Sequence, residues 1–191
     1  MTVAVAERSR TALLVIDMAN RFDFPGGQAL ARNALAITPA IVALRQRFDA
    51  ARSPVIHAND QFGHWREDFD TLAGHCLKAG GTPAAIMRLL QPLPHHHRLA
   101  KPAHSAFLHT ALAPLLDQLQ VRRVVLTGVA TDACVLATAL DATMRGLKVW
   151  IPSDATAART PRLHQSALHV CAHGLRLAVA ASGRVGGLFP R

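Results

Sequence analysis

Cys134 is the residue whose surroundings most need a chemical explanation. It follows the apolar run Val124-Val125-Leu126 and the small polar turn Thr127-Gly128-Val129-Ala130-Thr131-Asp132-Ala133. An apolar run of this kind suits a central strand of a parallel sheet, buried on both faces. The residues after Cys134 read as a helix, so the thiol lies at a helix N-terminus, where the macrodipole favours thiolate. Successive backbone N–H groups in such a turn can also receive a developing oxyanion. A nucleophile and oxyanion donors in one turn suit acyl transfer.

Two charged residues share this placement. Asp17 ends the apolar segment Thr11–Ile16, and Lys101 ends the short segment beginning at Arg98. Each therefore lies at a strand end, and open α/β sheets place their ligands at the carboxyl ends of their strands. A free thiol has a pKa of about 8.5 and is only a few per cent ionised at neutral pH. An ammonium beside it favours the thiolate. A carboxylate can take its proton and return it to a leaving group or activate water.

Strands and helices alternate along the chain. Strands are expected at Thr11–Ile16, Pro54–Asn59, Arg98–Lys101, Val121–Leu126, Leu147–Pro152 and Leu175–Val179. Helices are expected at Ala29–Arg52, with Pro39 as a first-turn residue or a break, and at Thr82–Leu90, Ala111–Leu119, Val135–Arg145 and Pro161–Ala172. This order predicts an α/β fold: a three-layer, Rossmann-like, doubly wound and mostly parallel sheet. In that order the first strand lies beside the strand leading to Cys134, where crevices form. Residues 1–10 read as a flexible tail without a signal-peptide pattern, and residues 11–191 as a single domain. The tail from Ser182 onward is a candidate for crossing to a partner subunit.

Composition narrows the function. Half of the 191 residues are hydrophobic, which argues against disorder. The three cysteines lack paired spacing, so no disulfide framework is expected and the setting is read as cytoplasmic. The net charge of +9 comes mostly from scattered arginines, and the chain has no tyrosine, so a solvated surface is expected rather than nucleic-acid binding. No apolar run reaches membrane-spanning length. The P-loop and the dinucleotide glycine pattern are absent, and no cofactor is expected. His95-His96-His97 invite a metal reading, but adjacent residues do not share a face, so a surface loop is expected there.

Three segments together resemble the isochorismatase-like cysteine hydrolases: Leu14–Phe22, Lys101–Phe107 and Thr127–Val135. The resemblance runs over roughly residues 11–180, and the Gly-Val-Ala-Thr-Asp-x-Cys-Val pattern is its most specific part. It implies an Asp17–Lys101–Cys134 triad, with Asp17 as general base and acid, Lys101 as electrostatic partner and Cys134 as nucleophile. It also implies a cis peptide between Val129 and Ala130, which turns the N–H groups of Ala130 and Cys134 toward an oxyanion. True isochorismatases of this family cleave a vinyl ether and typically lack the cysteine, so hydrolysis of a small carboxamide, ureido or carbamoyl compound through a thioester is favoured. Nicotinamidases of the family hold a metal with an Asp-x-His pair. The matching Asp60-Gln61-Phe62 has Phe in the second place, so no metal is expected. The usual Gln after the triad Asp is here Ala19. Phe22, Phe24 and Trp65 are the candidate substrate-pocket residues, and a homo-oligomer is expected by family habit. The alternatives are C–O hydrolysis of the isochorismatase type and a non-catalytic basic binding protein on the same fold.

Overall fold

A computed structural model describes residues 10–61 and 68–191. The N-terminal tail and Trp65 lie outside the described residues.

In chain order the elements are β1 (Arg10–Ile16), α1 (Gly27–Ala50), β2 (Val55–Asp60), α2 (Phe69–Ala79), α3 (Gly81–Leu90), β3 (His97–Lys101), α4 (Leu112–Gln118), β4 (Val121–Val129), α5 (Leu136–Met144), β5 (Lys148–Trp150), β6 (Thr156–Ala157) and α6 (Pro161–His169). The strands form one sheet in the order β3-β2-β1-β4-β5, with β6 also paired to β4, and every pairing is parallel. The chain moves outward from β1 through β2 to β3, then returns to the other side of β1 for β4. That reversal opens a crevice between the ends of β1 and β4.

Residues of β1 alternate between two cores. Leu13 and Val15 pack with Leu30, Ala34, Ile41, Leu44 and Phe48 of α1 and with Trp150. Ala12, Leu14 and Ile16 face the opposite layer, with Leu112 and Leu116 of α4 and Ala139 and Ala142 of α5. A strand covered on both faces needs a continuous apolar run, which is why this segment carries one.

Register sets the site. Ile16 pairs with Gly128, and Asp60 pairs with Lys101. Gly128 has φ of 105°, and a Cβ there would lie 2.0 Å from the Ile16 carbonyl oxygen. Only glycine lets β4 run this close to the end of β1. Asp17, Asp60, Lys101 and the turn after Val129 thereby share the carboxyl edge of the sheet.

Several expectations are corrected. Helix α1 runs unbroken through Pro39 for 24 residues. A mid-helix proline costs about 3 kcal/mol, and the long apolar face that α1 buries on the sheet offsets it. Among the described residues the segment Leu175–Val179 makes one bridge, between Ala178 and Trp150, and Arg176 takes a φ of 56° that turns the chain. The tail after Ser182 folds back on its own chain. Ser182 donates through its backbone N–H and its hydroxyl to Asp154, at 2.7 Å each. Arg47 donates to the Ser182 and Val185 carbonyls, and Phe189 packs edge-on to Trp150.

The histidine run is not a plain surface loop. His96 is buried, and its Nε2 lies 2.8 Å from Asp49 Oδ1, with the exposed His95 at 3.2 Å from the same oxygen. Leu93 N–H donates to His96 Nδ1, so Nε2 carries the proton and donates to Asp49. That tautomer makes the group a hydrogen-bonded clasp between α1 and β3. Its inner neighbour is His57, also buried, whose Nε2 lies 3.4 Å from His96 Nδ1.

Burial, with His96 and Arg45 nearby, pushes the His57 pKa down from 6.5 to about 3. The unfolded chain binds this proton more readily, so stability present above pH 6.5 is lost as pH falls toward 3. At pH 5 the loss from this one group is about 2 kcal/mol. Burial shifts His96 in the same direction. Urea unfolding followed from pH 7 to pH 5 should show this loss, and His57→Gln should flatten it.

Candidate active site

Asp17 follows β1 with φ of 52°, a left-handed conformation that Asp tolerates better than most residues. This turn aims its carboxylate across the strand ends. Oδ1 accepts the Asp60 N–H at 2.7 Å, and Oδ2 lies 2.9 Å from Lys101 Nζ. Lys101 has no exposed side-chain surface. Its ammonium also donates to the Ala103 carbonyl at 3.0 Å and lies 3.5 Å from Cys134 Sγ and 3.7 Å from Asp60 Oδ2. The cation therefore touches both other residues of the predicted triad and a fourth residue, Asp60.

Cys134 sits in a single π-helical turn, Thr131–Val135, that runs directly into α5. The Val129–Ala130 peptide before it is cis. The Ala130 carbonyl accepts the N–H groups of Ala133 and Val135, which closes the turn tightly around the thiol. The loop after Lys101 is tied to the same helix. Ala106 N–H donates to Thr138 Oγ1, Thr138 donates to the Cys134 carbonyl at 2.7 Å, and Ser105 donates to Asp141. Lys101 and Cys134 are thus held in one framework.

The thiol is not an acidic one. Burial and the neighbouring Asp17 push Cys134 up to about 12, and Lys101 offsets only part of this. The expectation that the helix terminus and Lys101 favour a resting thiolate is corrected: the loss of solvent around the thiol and the neighbouring Asp17 carboxylate outweigh one ammonium. Burial likewise raises Asp17 above 3.8, although Lys101 and the thiol hydrogen bond pull it down. A carboxylate with a raised pKa is a stronger base. Burial alone would depress Lys101, but Asp17, Cys134 and Asp60 hold it above 10.5, so it stays charged.

A cleft of about 290 Å³ opens over Cys134. Its walls include Asn20, Phe24, His104, Ala130, Asp132 and Arg159. Phe24 lines it. Phe22 does not: its φ of 56° turns the ring into the core beneath α1, with only 4% exposure. Cys76 and Cys171 are free, fully buried thiols away from this cleft, each pushed up to about 11 by burial.

Other contributors were not singled out from the sequence. His104 Nδ1 lies 3.5 Å from Cys134 Sγ. Asn59 exchanges bonds with the Ala19 backbone, accepting its N–H at 3.0 Å and donating to its carbonyl at 2.9 Å, which fixes the loop after Asp17. His164 of α6 lies 2.8 Å from Thr131 Oγ1 at the start of the nucleophile turn, and its other nitrogen faces the Ser153 carbonyl at 3.2 Å. The carbonyl fixes the tautomer, so Thr131 donates to the free nitrogen. The pairing of Asp60 with Lys101 was hidden because Asp60 reads as half of a metal motif.

Known proteins resemble this chain over most of its length. A family model described as the isochorismatase domain matches residues 11–182. An isochorismatase family protein of Bacillus subtilis (strain 168) is 38% identical over 157 residues, 82% of this chain and 86% of that protein. The ureidoacrylate amidohydrolase of Stutzerimonas stutzeri (strain A1501) is 29% identical, covering 83% of this chain and 74% of its own. Among solved structures, an isochorismatase family protein from Desulfovibrio vulgaris superposes with a TM-score of 0.75 at 27% identity, covering 92% of this chain and 95% of that one. The match spans both strand ends, the loop after Lys101 and the Cys134 turn. By domain, by sequence and by fold, this chain belongs to the isochorismatase family.

Proposed function

We propose that this protein is a cysteine amidohydrolase acting on a small carboxamide, ureido or carbamoyl compound. The observation that carries the reading is one ammonium, Lys101 Nζ, 2.9 Å from the Asp17 carboxylate and 3.5 Å from the Cys134 thiol at the floor of a small cleft. Membership of a family that includes a ureidoacrylate amidohydrolase supports C–N hydrolysis.

In this mechanism Asp17 takes the Cys134 proton as sulfur attacks the substrate carbonyl. Lys101 balances the charge as it passes from carboxylate to sulfur. The N–H groups of Ala130 and Cys134 receive the oxyanion, and each such donor is worth about 2.7–4 kcal/mol in a transition state. Asp17 then gives its proton to the leaving nitrogen, which departs as ammonia or an amine and leaves a thioester. Water enters, Asp17 removes its proton, and hydrolysis of the thioester returns the thiol. The raised pKa of Asp17 suits both directions of transfer.

Ammonia release from a panel of small amides and ureido compounds tests this. It also separates the reading from C–O hydrolysis, which yields no ammonia. Wild-type protein should release ammonia from at least one compound, and Cys134→Ala should fall to the uncatalysed rate. Full activity in Cys134→Ala would remove the thioester from the account.

A further inference from the structure

The Cys134 sulfur has a second nitrogen beside it that the proposed reaction does not use. His104 Nδ1 lies 3.5 Å from Sγ, the same distance as Lys101 Nζ. Lys101 reaches the sulfur from the buried side, and His104 is an exposed residue lining the cleft. The loop holds the ring there from both directions. Lys101 donates to the carbonyl of Ala103, immediately before His104, at 3.0 Å. Ser105, immediately after it, donates to Asp141 of α5 and accepts the Phe107 N–H at 3.1 Å. Ala106 N–H donates to Thr138, which in turn holds the Cys134 carbonyl. Ring and sulfur are thus fastened to the same helix start.

The direction of the contact follows from the thiol. Cys134 has one proton, and Asp17 accepts it. Nδ1 therefore meets the sulfur favourably only as a donor, so Nδ1 carries a proton. An N–H bond to a neutral thiol is weak, whereas one to a charged acceptor is roughly twice as strong as a neutral bond. In the proposed reaction sulfur gains negative charge twice, as it attacks and as it leaves the thioester. Burial opposes that charge, and Lys101 offsets only part of the opposition. A donor whose bond strengthens as charge develops favours the transition state over the resting thiol.

We propose that His104 is a further catalytic residue: its Nδ1–H donates to the Cys134 sulfur and stabilises the negative charge there during attack and during departure from the thioester. The proposal rests on the thioester reading of the cleft. His104 keeps its proton throughout. The thiol proton still passes to Asp17, and the leaving group and the hydrolytic water are still served by Asp17. Lys101 and His104 then divide one task, holding the developing thiolate from its buried and its open side.

Asn and Leu side chains share nearly one shape, and the Asn amide nitrogen stands as many bonds from the backbone as Nδ1. His104→Asn therefore keeps an N–H donor and removes the ring as a base, while His104→Leu removes the donor as well. The probe is p-nitrophenyl acetate at neutral pH. Its acetyl group passes to sulfur as nitrophenolate leaves, and water then cleaves the thioester to acetate and thiol. Nitrophenolate absorbance reads the first step, and the intact mass of the protein reads gain and loss of acetyl, with Cys134→Ala as the background. Sulfur carries part of a full charge in each transition state, so His104→Leu should slow both steps about fivefold or more. His104→Asn should stay within about twofold of wild type. His104→Leu within twofold of wild type, or His104→Asn as slow as His104→Leu, would overturn the proposal. Wild-type protein that cycles acetyl through Cys134 while His104→Leu matches it leaves the thioester reading standing without His104. Wild-type protein that takes no acetyl on Cys134 contradicts the thioester reading itself, and the role of His104 falls with it.

Discussion

Asp17→Asn is expected to lower kcat/KM for amide hydrolysis by about 10⁴-fold or more at pH 7. The magnitude follows from the thiol. Burial holds the Cys134 thiol protonated at pH 7 in the variant as well, so without a base to take the proton during attack little nucleophile forms. Asn is close in shape and can still accept the Asp60 N–H, but it cannot carry a proton between sulfur and the leaving nitrogen. The pH profile should change form as well. In the wild type, activity should fall as pH drops through the Asp17 pKa, because a protonated carboxyl cannot act as base, and that limb should lie above 3.8. The variant should lack this limb, and its residual rate should climb tenfold per pH unit as thiolate forms. A loss below about tenfold would remove Asp17 as the base.

Lys101→Met carries the second largest effect, about 10³-fold in kcat/KM at neutral pH. The ammonium is the only cation within 4 Å of Asp17 among the described residues, and the pair is buried. Without it, only the thiol hydrogen bond and the Asp60 N–H oppose burial at Asp17, and the carboxyl pKa rises further. The acidic limb of the pH profile should therefore move upward, and the variant should recover part of its activity as pH is raised. Developing negative charge on Cys134 also loses its counter-ion, so recovery should stay incomplete. Lys101→Arg should not rescue, because a planar guanidinium does not fit a site with no exposed side-chain surface. An unmoved acidic limb would show that Lys101 does not act on Asp17.

Much of this fold was legible before any coordinates. Apolar runs ending in Asp17 and Lys101, and the glycine-bearing turn before Cys134, each carry a local signature, and strand–helix alternation places their ends on one edge. Other features depend on conformation that local pattern does not encode. Phe22 reads as a pocket wall by its position in a loop, yet a positive φ sends it into the core. Leu175–Val179 has strand composition, but Arg176 breaks its extension. Arg159, His104 and His164 reach the site from loops and from a helix distant in sequence, so no spacing links them to Cys134. The acidity of Cys134 was misjudged for a related reason: residue order brings Lys101 near the thiol, but only the packed structure shows that Asp17 and burial outweigh it.

The most direct test of the central claim is the ultraviolet thiolate absorbance of wild-type protein minus that of Cys134→Ala, followed from about pH 5 to pH 10. Subtraction removes Cys76 and Cys171. The account predicts a flat difference signal across this range while ammonia release proceeds at neutral pH, since the proton leaves Cys134 for Asp17 only during attack. A thiolate titrating at or below the free-thiol value of about 8.5 would contradict it: Cys134 would then be a standing nucleophile, and Asp17 would not be needed to activate it.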